Sequence, residues 1–298
     1  IGFEEDKKPA AMLDPAWGVD VIIGGHSHTF ITEPAEVNNI LIVQAGTGTD
    51  QIGRFDLVID TDNNNVAGWK WECVPINDEN CPVDEEIENL ITNYKSQTDA
   101  KYGRVITRFN RKLTHPERNR ETSLGGLMAD ALKKSLGVDI MLLGSGSVRT
   151  EAMGPIVLLS DLTEAFPYDD AVHMIRVSGK QLRHMLLYMV RDEVWQGVHN
   201  EFYQFSEGLH AVYSKSQHEF LEFDFNGKPI EDNDMFNVGL QHFHYTNLED
   251  VFDIKLDELK KNAAPRVIST SCRQVIEEFL MAHQHLDRHS GDRLILLD

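Results

Sequence analysis

Residues 19–28, Val-Asp-Val-Ile-Ile-Gly-Gly-His-Ser-His, carry a short β-branched apolar run into two glycines and then two histidines. A run of this length bounded by glycine reads as a buried strand, here Val19–Ile23. His26 and His28 then fall in the loop past its C-terminal end, which is where open α/β sheets hold their ligands. Neutral imidazoles are common nitrogen donors to zinc, manganese and iron. The glycines let the backbone bend sharply enough to aim the rings at two adjacent ions, and Ser27 and Thr29 are placed to orient them. A pair of histidines that merely closes a strand end is the alternative.

The chain has 298 residues, enough for two domains with their own cores. Its 48 acidic against 28 basic side chains give a formal charge of −20, the wrong sign for a nucleic-acid groove. A small anion remains possible where a metal or an arginine reverses the local field. No apolar stretch is long enough to span a membrane. Three cysteines, Cys73, Cys81 and Cys272, cannot build a disulfide framework. Cys73 and Cys81 have the option of pairing, but free thiols fit better. Those thiols, with no Asn-x-Ser/Thr sequon, lean towards a cytoplasmic protein. The first residue is isoleucine, so any leader would lie upstream.

Residues 1–78 alternate short apolar runs with turns, and the asparagine-rich stretch 60–68 predicts a hairpin connection. Pro82 is expected to open a helix with Asp84, Glu85 and Glu86 in its first turn and one apolar stripe of Ile87, Leu90, Ile91 and Tyr94. Composition resets after Gly103. A helix stopping at Gly137, a strand near 138–143, a strand at 172–177 and a helix from Ser178 then predict a second α+β unit. Segments 209–213, 219–225 and 235–240 read as antiparallel strands, followed by a helix over 271–285 and a closing strand.

The Gly-His-Ser-His stretch resembles the last metal motif of the calcineurin-like metallophosphoesterases in the form carried by 5′-nucleotidases. Residues 118–132, Arg-Asn-Arg-Glu-Thr-Ser-Leu-Gly-Gly-Leu-Met-Ala-Asp-Ala-Leu, are similar to the opening of that family's C-terminal domain. Residues 142–149 resemble its Asn-Gly-Gly-Gly-Ile-Arg loop, and 166–182, 205–214, 225–230 and 291–297 follow in family order, whereas 242–252 keep Phe243 but lose the family's glycine pair. The resemblance implies an α/β and α+β chain. Residues 1–81 would be the C-terminal part of a metallophosphoesterase β-sandwich lacking its N-terminal part, 82–103 a linker helix, and 104–298 the substrate-binding domain.

The resemblance further implies a metal-dependent phosphohydrolase acting on nucleoside 5′-monophosphates or related esters. Two divalent ions, zinc, manganese or similar, would polarise the phosphoryl group and activate water, with His26 and His28 among their ligands. No residue of this chain takes a catalytic acid role, so the chain alone is expected to be inactive. Substrate contacts carry over to Arg118, Gly146, Arg149, Phe243 and Asp250. The expected partner is a small phosphorylated substrate, a nucleotide by preference, and not a nucleic-acid polymer or a membrane. A non-enzymatic ligand- or protein-binding module, or a hydrolase of cyclic nucleotides or nucleotide sugars, stays open.

Physically, Arg149 after a Gly/Ser loop offers a fixed guanidinium fork, and small residues let a ligand approach the backbone. Solvated or ion-paired surface arginines are the bland alternative. Glu121 and Asp130 read as helix-start and surface carboxylates. His242, His244, His283, His285 and His289 are too scattered to suggest a second metal site. The sequence departs from the family at Gly144, where asparagine is usual. It departs again at Val172, taken as the position of a base-stacking aromatic, and this predicts weak discrimination among bases.

Overall fold

The structure, a computed structural model, describes residues 3–195, 200–291 and 293–298. The chain divides into two compact units, Ile1–Asn93 and Tyr94–Asp298.

In the first unit, helix α1 (Phe3–Met12) packs Ala10 on a small core with Ile40 and Ile42. Strand β1 (Val21–Ile23) runs parallel to β3 (Ile40–Val43), and β2 (Ala35–Val37) pairs antiparallel with β3. β3 is the central strand and all four of its residues are buried, the continuous apolar pattern of a strand covered on both faces. Strands β4 (Gln51–Asp60) and β5 (Asn65–Pro75) form a separate hairpin. In its turn Asp60 accepts the N–H groups of Asp62 and Asn63, and Asn64 takes the left-handed conformation at φ 53°, as asparagine tolerates.

Helix α2 (Glu85–Tyr102) starts three residues later than its proline suggested. The Asp84 side chain accepts the N–H groups of Glu86 and Ile87, so an aspartate N-cap, not Pro82, sets the start. Its apolar stripe is not packed, for Ile87, Leu90, Ile91 and Tyr94 are all exposed.

The second unit opens with β6 (Val105–Arg108) and β7 (Leu113–Thr114), followed by α3 (Ser123–Leu136). Thr122 caps α3 by accepting the Gly125 N–H, and Gly137 closes it at φ 66°, the pairing of a hydroxyl start and a left-handed glycine stop. There follow β8 (Ile140–Gly144), β9 (Ala152–Met153), β10 (Ile156–Leu158), α4 (Leu159–Ala165) and β11 (Val172–Ser178). Next is α5 (Gly179–Met189), which begins at a reciprocal Ser178–Gln181 capping box. After α6 (Asp192–Trp195) come β12 (Tyr203–Phe205), β13 (Leu209–Ser214), β14 (Glu219–Phe225), β15 (Lys228–Pro229) and β16 (Met235–Gln241). Short helices α7 (His242–Thr246), α8 (Leu248–Phe252) and α9 (Leu256–Lys260) lead to β17 (Arg266–Ser269), α10 (Cys272–Ala282) and β18 (Leu294–Leu297).

A five-stranded sheet in the order β12-β8-β16-β11-β17 is the frame of this unit. Alternate residues of β8 enter different cores. Ile140 and Leu142 pack with α5 and the second sheet, and Met141 and Leu143 pack with α3 and α10. This is the period-two alternation of a sheet covered on both faces. The second sheet is β15-β14-β13-β18, and β18 lies parallel to β13. Residues 235–241 therefore do not continue the 209–225 hairpin. They cross to the first sheet and run parallel to β8, with Val238 opposite Ile140.

Glu121 and Asp130 are not surface carboxylates. Both are buried. Arg288 reaches Glu121 at 2.6 Å, and Arg293 holds Asp130 through two bonds of 2.8 Å. These pairs fasten the C-terminal segment to α3. Among the described residues no helix is long and apolar enough to cross a membrane.

Candidate functional site

In the first unit β1 ends at Ile23, and His26 and His28 lie in the loop beyond it, both exposed. Both take left-handed backbone conformations, at φ 65° and 58°, which is uncommon for a residue with a side chain. The loop is held by Ser27. Its hydroxyl accepts the Phe3 N–H at 3.1 Å, bonds the Thr29 hydroxyl at 2.8 Å and donates to Gln44 Oε1 at 3.1 Å. Ser27 and Thr29 therefore bond each other and the scaffold, and not the imidazoles. Neither imidazole has a hydrogen-bond partner among the described residues, so both rings keep their nitrogens available as donors to a metal. They form a partial set only, since no group of three or more His, Cys, Asp or Glu among the described residues is placed to hold an ion.

In the second unit the strand registers bring Gly144, Tyr203, Gln241, Val172 and Ser269 to one end of the five-stranded sheet. The loop leaving β8 there, Gly144 to Arg149, is fixed from several directions. Ser145 N–H donates to the Phe202 carbonyl at 2.7 Å, and Gly146 N–H donates to Glu201 Oε1 at 2.8 Å. The Ser147 hydroxyl donates to Gln241 Oε1 at 2.8 Å, and Arg149 N–H to the Ala165 carbonyl at 2.8 Å. With backbone and side chains spoken for, the loop is preorganised.

The glycines have a use the sequence did not reveal. A Cβ on Gly144 would lie 2.1 Å from His244 Nε2 and 3.1 Å from Glu201 Oε1, and one on Gly146 would lie 3.2 Å from Glu201 Oε2. Their small size first admits the protein's own His244 and Glu201.

The preceding segment is tied to this loop by His115. Its ring bonds the Thr122 hydroxyl at 2.8 Å and the Ser145 carbonyl at 3.1 Å. A carbonyl only accepts, so Nε2 carries the proton and Nδ1 accepts from Thr122. Burial pushes the His115 pKa down to about 4, against the Ser145 carbonyl, which raises it; the nearby Arg118 charge lowers it further. Gln204 completes the tie, donating to the Arg120 carbonyl and the Ser145 hydroxyl and accepting the Thr122 N–H.

Arg149 is exposed. One guanidinium nitrogen donates to the Gly146 carbonyl at 3.3 Å, and the group stands 5.7 Å from the Tyr168 ring centre. Phe243, 57% exposed at the start of α7, meets His244 edge to face at 5.3 Å. The structure thus joins Gly146 to Arg149 directly and links Phe243 to the same loop through His244. Arg118 is exposed on the segment fixed by His115. Asp250 is exposed on α8, and no hydrogen bond or ion pair ties it to this group among the described residues.

Val172 corrects the reading of its segment. It is fully buried, so it offers no surface to a ligand. The exposed aromatic is Tyr168, four residues earlier and 49% exposed. The Ala171 carbonyl accepts the His242 N–H at 2.8 Å, which sets the Tyr168 loop beside the start of α7.

The C-terminal histidines are engaged locally. His242 Nδ1 meets His173 Nε2 at 2.9 Å, under Tyr245 stacked 4.0 Å from the His173 ring. His244 bonds the Tyr203 hydroxyl, His283 donates to the Phe279 carbonyl and His289 meets Arg111. His115, Tyr168, Glu201, Gln204 and His244 were all missed from sequence. The available signals were an aromatic directly after Pro167 and the two histidines flanking Phe243.

A Gly/Ser loop, an adjacent arginine and two exposed rings stand together at one end of the mixed sheet of an α+β domain. Residues 98–254 match the family described as 5′-nucleotidase, C-terminal domain, and the chain belongs to that family, one of nucleotide hydrolases. Trifunctional nucleotide phosphoesterase protein YfkN of Bacillus subtilis (strain 168) is 25% identical over 202 residues, covering 62% of this chain and 13% of that protein. Protein 5NUC of Lutzomyia longipalpis is 28% identical over 211 residues, covering 58% of this chain and 36% of that one. The chain therefore spans well under two thirds of these relatives. The 5′-nucleotidase precursor of Thermus thermophilus shares the fold, with a TM-score of 0.77 at 21% identity, over 100% of this chain and 62% of that one.

Proposed function

We propose that the sheet end around Gly144–Arg149 binds a nucleoside 5′-monophosphate or a closely related phosphate ester, as part of a metal-dependent phosphohydrolase of the 5′-nucleotidase type. The observation that carries the reading is the placement of Arg149 and two exposed rings, Tyr168 and Phe243, around one preorganised loop. A guanidinium fork suits phosphate or ribose oxygens, and an aromatic face suits a base, at about 1–3 kcal/mol per stacked base. In a chain of −20, an anionic ligand needs such a local reversal of sign. Arg118 would add a second cation.

Two exposed, unpartnered imidazoles fit a divalent ion as part of its shell, and His26 and His28 would hold it. When bound, such an ion supplies Lewis acidity towards a phosphoryl group. Ser27 keeps the loop in register with α1, and the left-handed turns at both histidines fix where the rings leave the backbone. Two imidazoles are a fraction of a full shell, so the chain by itself should hydrolyse no phosphate ester. The named activity of the relatives, 5′-nucleotidase or nucleotide phosphoesterase, supports a nucleotide as ligand.

Calorimetric titration of AMP into the chain tests this. Saturable binding that weakens at least about tenfold in Arg149→Ala is expected, in line with the loss of a charge-assisted hydrogen bond. Equal affinity of wild type and Arg149→Ala would remove the arginine from the site. Phosphate release from AMP that resists chelator and survives His26→Ala would remove the metal.

A further inference from the structure

The hydroxyl of Thr122 stands between two acceptors. It lies 2.8 Å from His115 Nδ1 and 3.2 Å from Gln204 Oε1, and it accepts the Gly125 N–H at 3.1 Å. On the far side of the ring, His115 Nε2 meets the Ser145 carbonyl at 3.1 Å. All three side chains are buried. Gln204 is fixed by its own amide group, which donates to the Arg120 carbonyl and the Ser145 hydroxyl, while its Oε1 accepts the Thr122 N–H.

This network satisfies every member in two proton arrangements. With a neutral ring the proton is on Nε2, and the Thr122 O–H points to Nδ1. With a second proton on Nδ1, the ring donates to Thr122 Oγ1, and the hydroxyl turns its hydrogen to Gln204 Oε1. No heavy atom has to move, and no buried donor is left without an acceptor. The cationic ring then holds the Ser145 carbonyl through a charge-assisted bond, about twice as strong as the neutral one.

Burial and charge oppose that second proton. Burial is the larger cause, the Arg118 guanidinium adds to it, and together they outweigh the Ser145 carbonyl. Charged groups also stand on each element packed against the ring. Glu117 on its own segment pairs with Arg120, and Glu121 before α3 pairs with Arg288. Glu151 precedes β9 and its carbonyl accepts the His115 N–H, Arg149 ends the loop, and Glu201 accepts the Gly146 N–H. Arg118 and Arg149 are the two cations that the nucleotide reading assigns to the ligand. An anion held by them would offset the positive field that Arg118 sets at the ring.

We propose that His115 is a positioning residue of this site that takes up a proton when an anion binds beside Arg118 and Arg149, and so tightens its hold on the Ser145 carbonyl. The inference rests on the nucleotide reading for the anion and adds a link between ligand charge and the order of the loop. The proton comes from solvent and goes to Nδ1, while the Thr122 hydrogen passes from Nδ1 to Gln204 Oε1. By reciprocity, the proton strengthens anion binding by the factor with which the anion strengthens proton binding.

Nitrogen-15 NMR of the imidazole rings in the 298-residue chain, between pH 7.5 and 5, reads the proton directly. Saturating AMP should raise the proton affinity of His115 about tenfold, the scale of one charge brought near a partly buried ring. Adenosine, which has no phosphate, should leave it unchanged, and Arg118→Ala should raise it with no ligand present. Calorimetry gives the reciprocal arm. On acidification from pH 7.5 to 5, the AMP affinity of wild type should gain about twofold over that of His115→Gln, a ratio in which the ionisation of AMP itself cancels. A His115 titration unmoved by saturating AMP, an equal response to adenosine, or a neutral ring protonated on Nδ1 would each overturn the proposal and leave the nucleotide reading standing. Failure of AMP to bind the chain would overturn both.

Discussion

Replacing Arg293 by alanine removes both halves of a bidentate contact, the two 2.8 Å bonds to Asp130, and also the bond to the Phe205 carbonyl. Asp130 would remain buried beside Arg288, whose Nε lies 3.8 Å away, still accepting the Glu207 N–H at 2.7 Å. Side chains of Asp130 and Arg293 are each only 9% exposed, so water screens little of the loss. Breaking one partner of such a buried pair costs about 3–5 kcal/mol, because the other charge stays buried. In a unit of this size each kcal/mol shifts the midpoint by about 2–4 °C, which gives a drop of about 6–20 °C. Thermal unfolding followed by circular dichroism reads it directly. The double variant Asp130→Leu/Arg293→Met removes both charges and should recover most of the stability, since a packed apolar pair of similar size often matches a buried ion pair. A loss below about 1 kcal/mol in Arg293→Ala would place the pair in the range of a solvent-screened surface bridge and refute the reasoning.

His115 and His244, both near pKa 4 in the fold and near 6.5 when unfolded, should make stability depend on pH. Their contribution is complete above about pH 6.5 and is lost as pH falls towards 4, by about 3 kcal/mol per ring, because only the unfolded ring takes the proton. Urea midpoints between pH 7 and 4.5 should show this and should slope less in His115→Gln; an unchanged slope there would contradict it. Val172→Phe should destabilise the fold by about 1–3 kcal/mol through overpacking and bring no gain in base affinity. Tyr168→Ala should weaken AMP against ribose 5-phosphate, and an equal effect on both ligands in calorimetry would take Tyr168 out of base stacking. Zinc titrated into the chain should shift the His26 and His28 imidazole signals with affinity weaker than about micromolar, since affinity needs a completed shell. Submicromolar binding would show further ligands within the chain.

Local signals carried the legible part of this fold. The Ser178–Gln181 capping box, the Gly137 stop and the asparagine turn at 61–64 each act within four residues, and each marks an element where one forms. The loop position of His26 and His28 was equally visible, but the strand before Gly24-Gly25 begins at Val21 and leaves Ile23 81% exposed, so it is not the buried strand its apolar run suggested. Parallel pairing of β16 with β8 was not, because it joins residues about a hundred positions apart and nothing in either run names its partner. Glu121 and Asp130 were misread for the same reason, since their partners Arg288 and Arg293 lie more than 160 residues away. Val172 and Tyr168 differ by strand geometry. Position 172 already belongs to β11 and points into the core, whereas Tyr168 precedes the strand on an exposed loop. The loop of residues 144–149 was recognisable as a Gly/Ser turn leaving a strand. Its filling by His244 depends on how α7 packs, which no spacing in the sequence encodes.

The central claim is that the Gly144–Arg149 loop and the start of α7 form one nucleotide site. Amide chemical-shift mapping of the chain during an AMP titration tests it most directly. The account predicts that the largest shifts fall on Gly144, Gly146, Arg149, Tyr168 and Phe243, saturate together and need at least about tenfold more AMP in Arg149→Ala. Saturating shifts that bypass these residues, or that persist unchanged in Arg149→Ala, would contradict it.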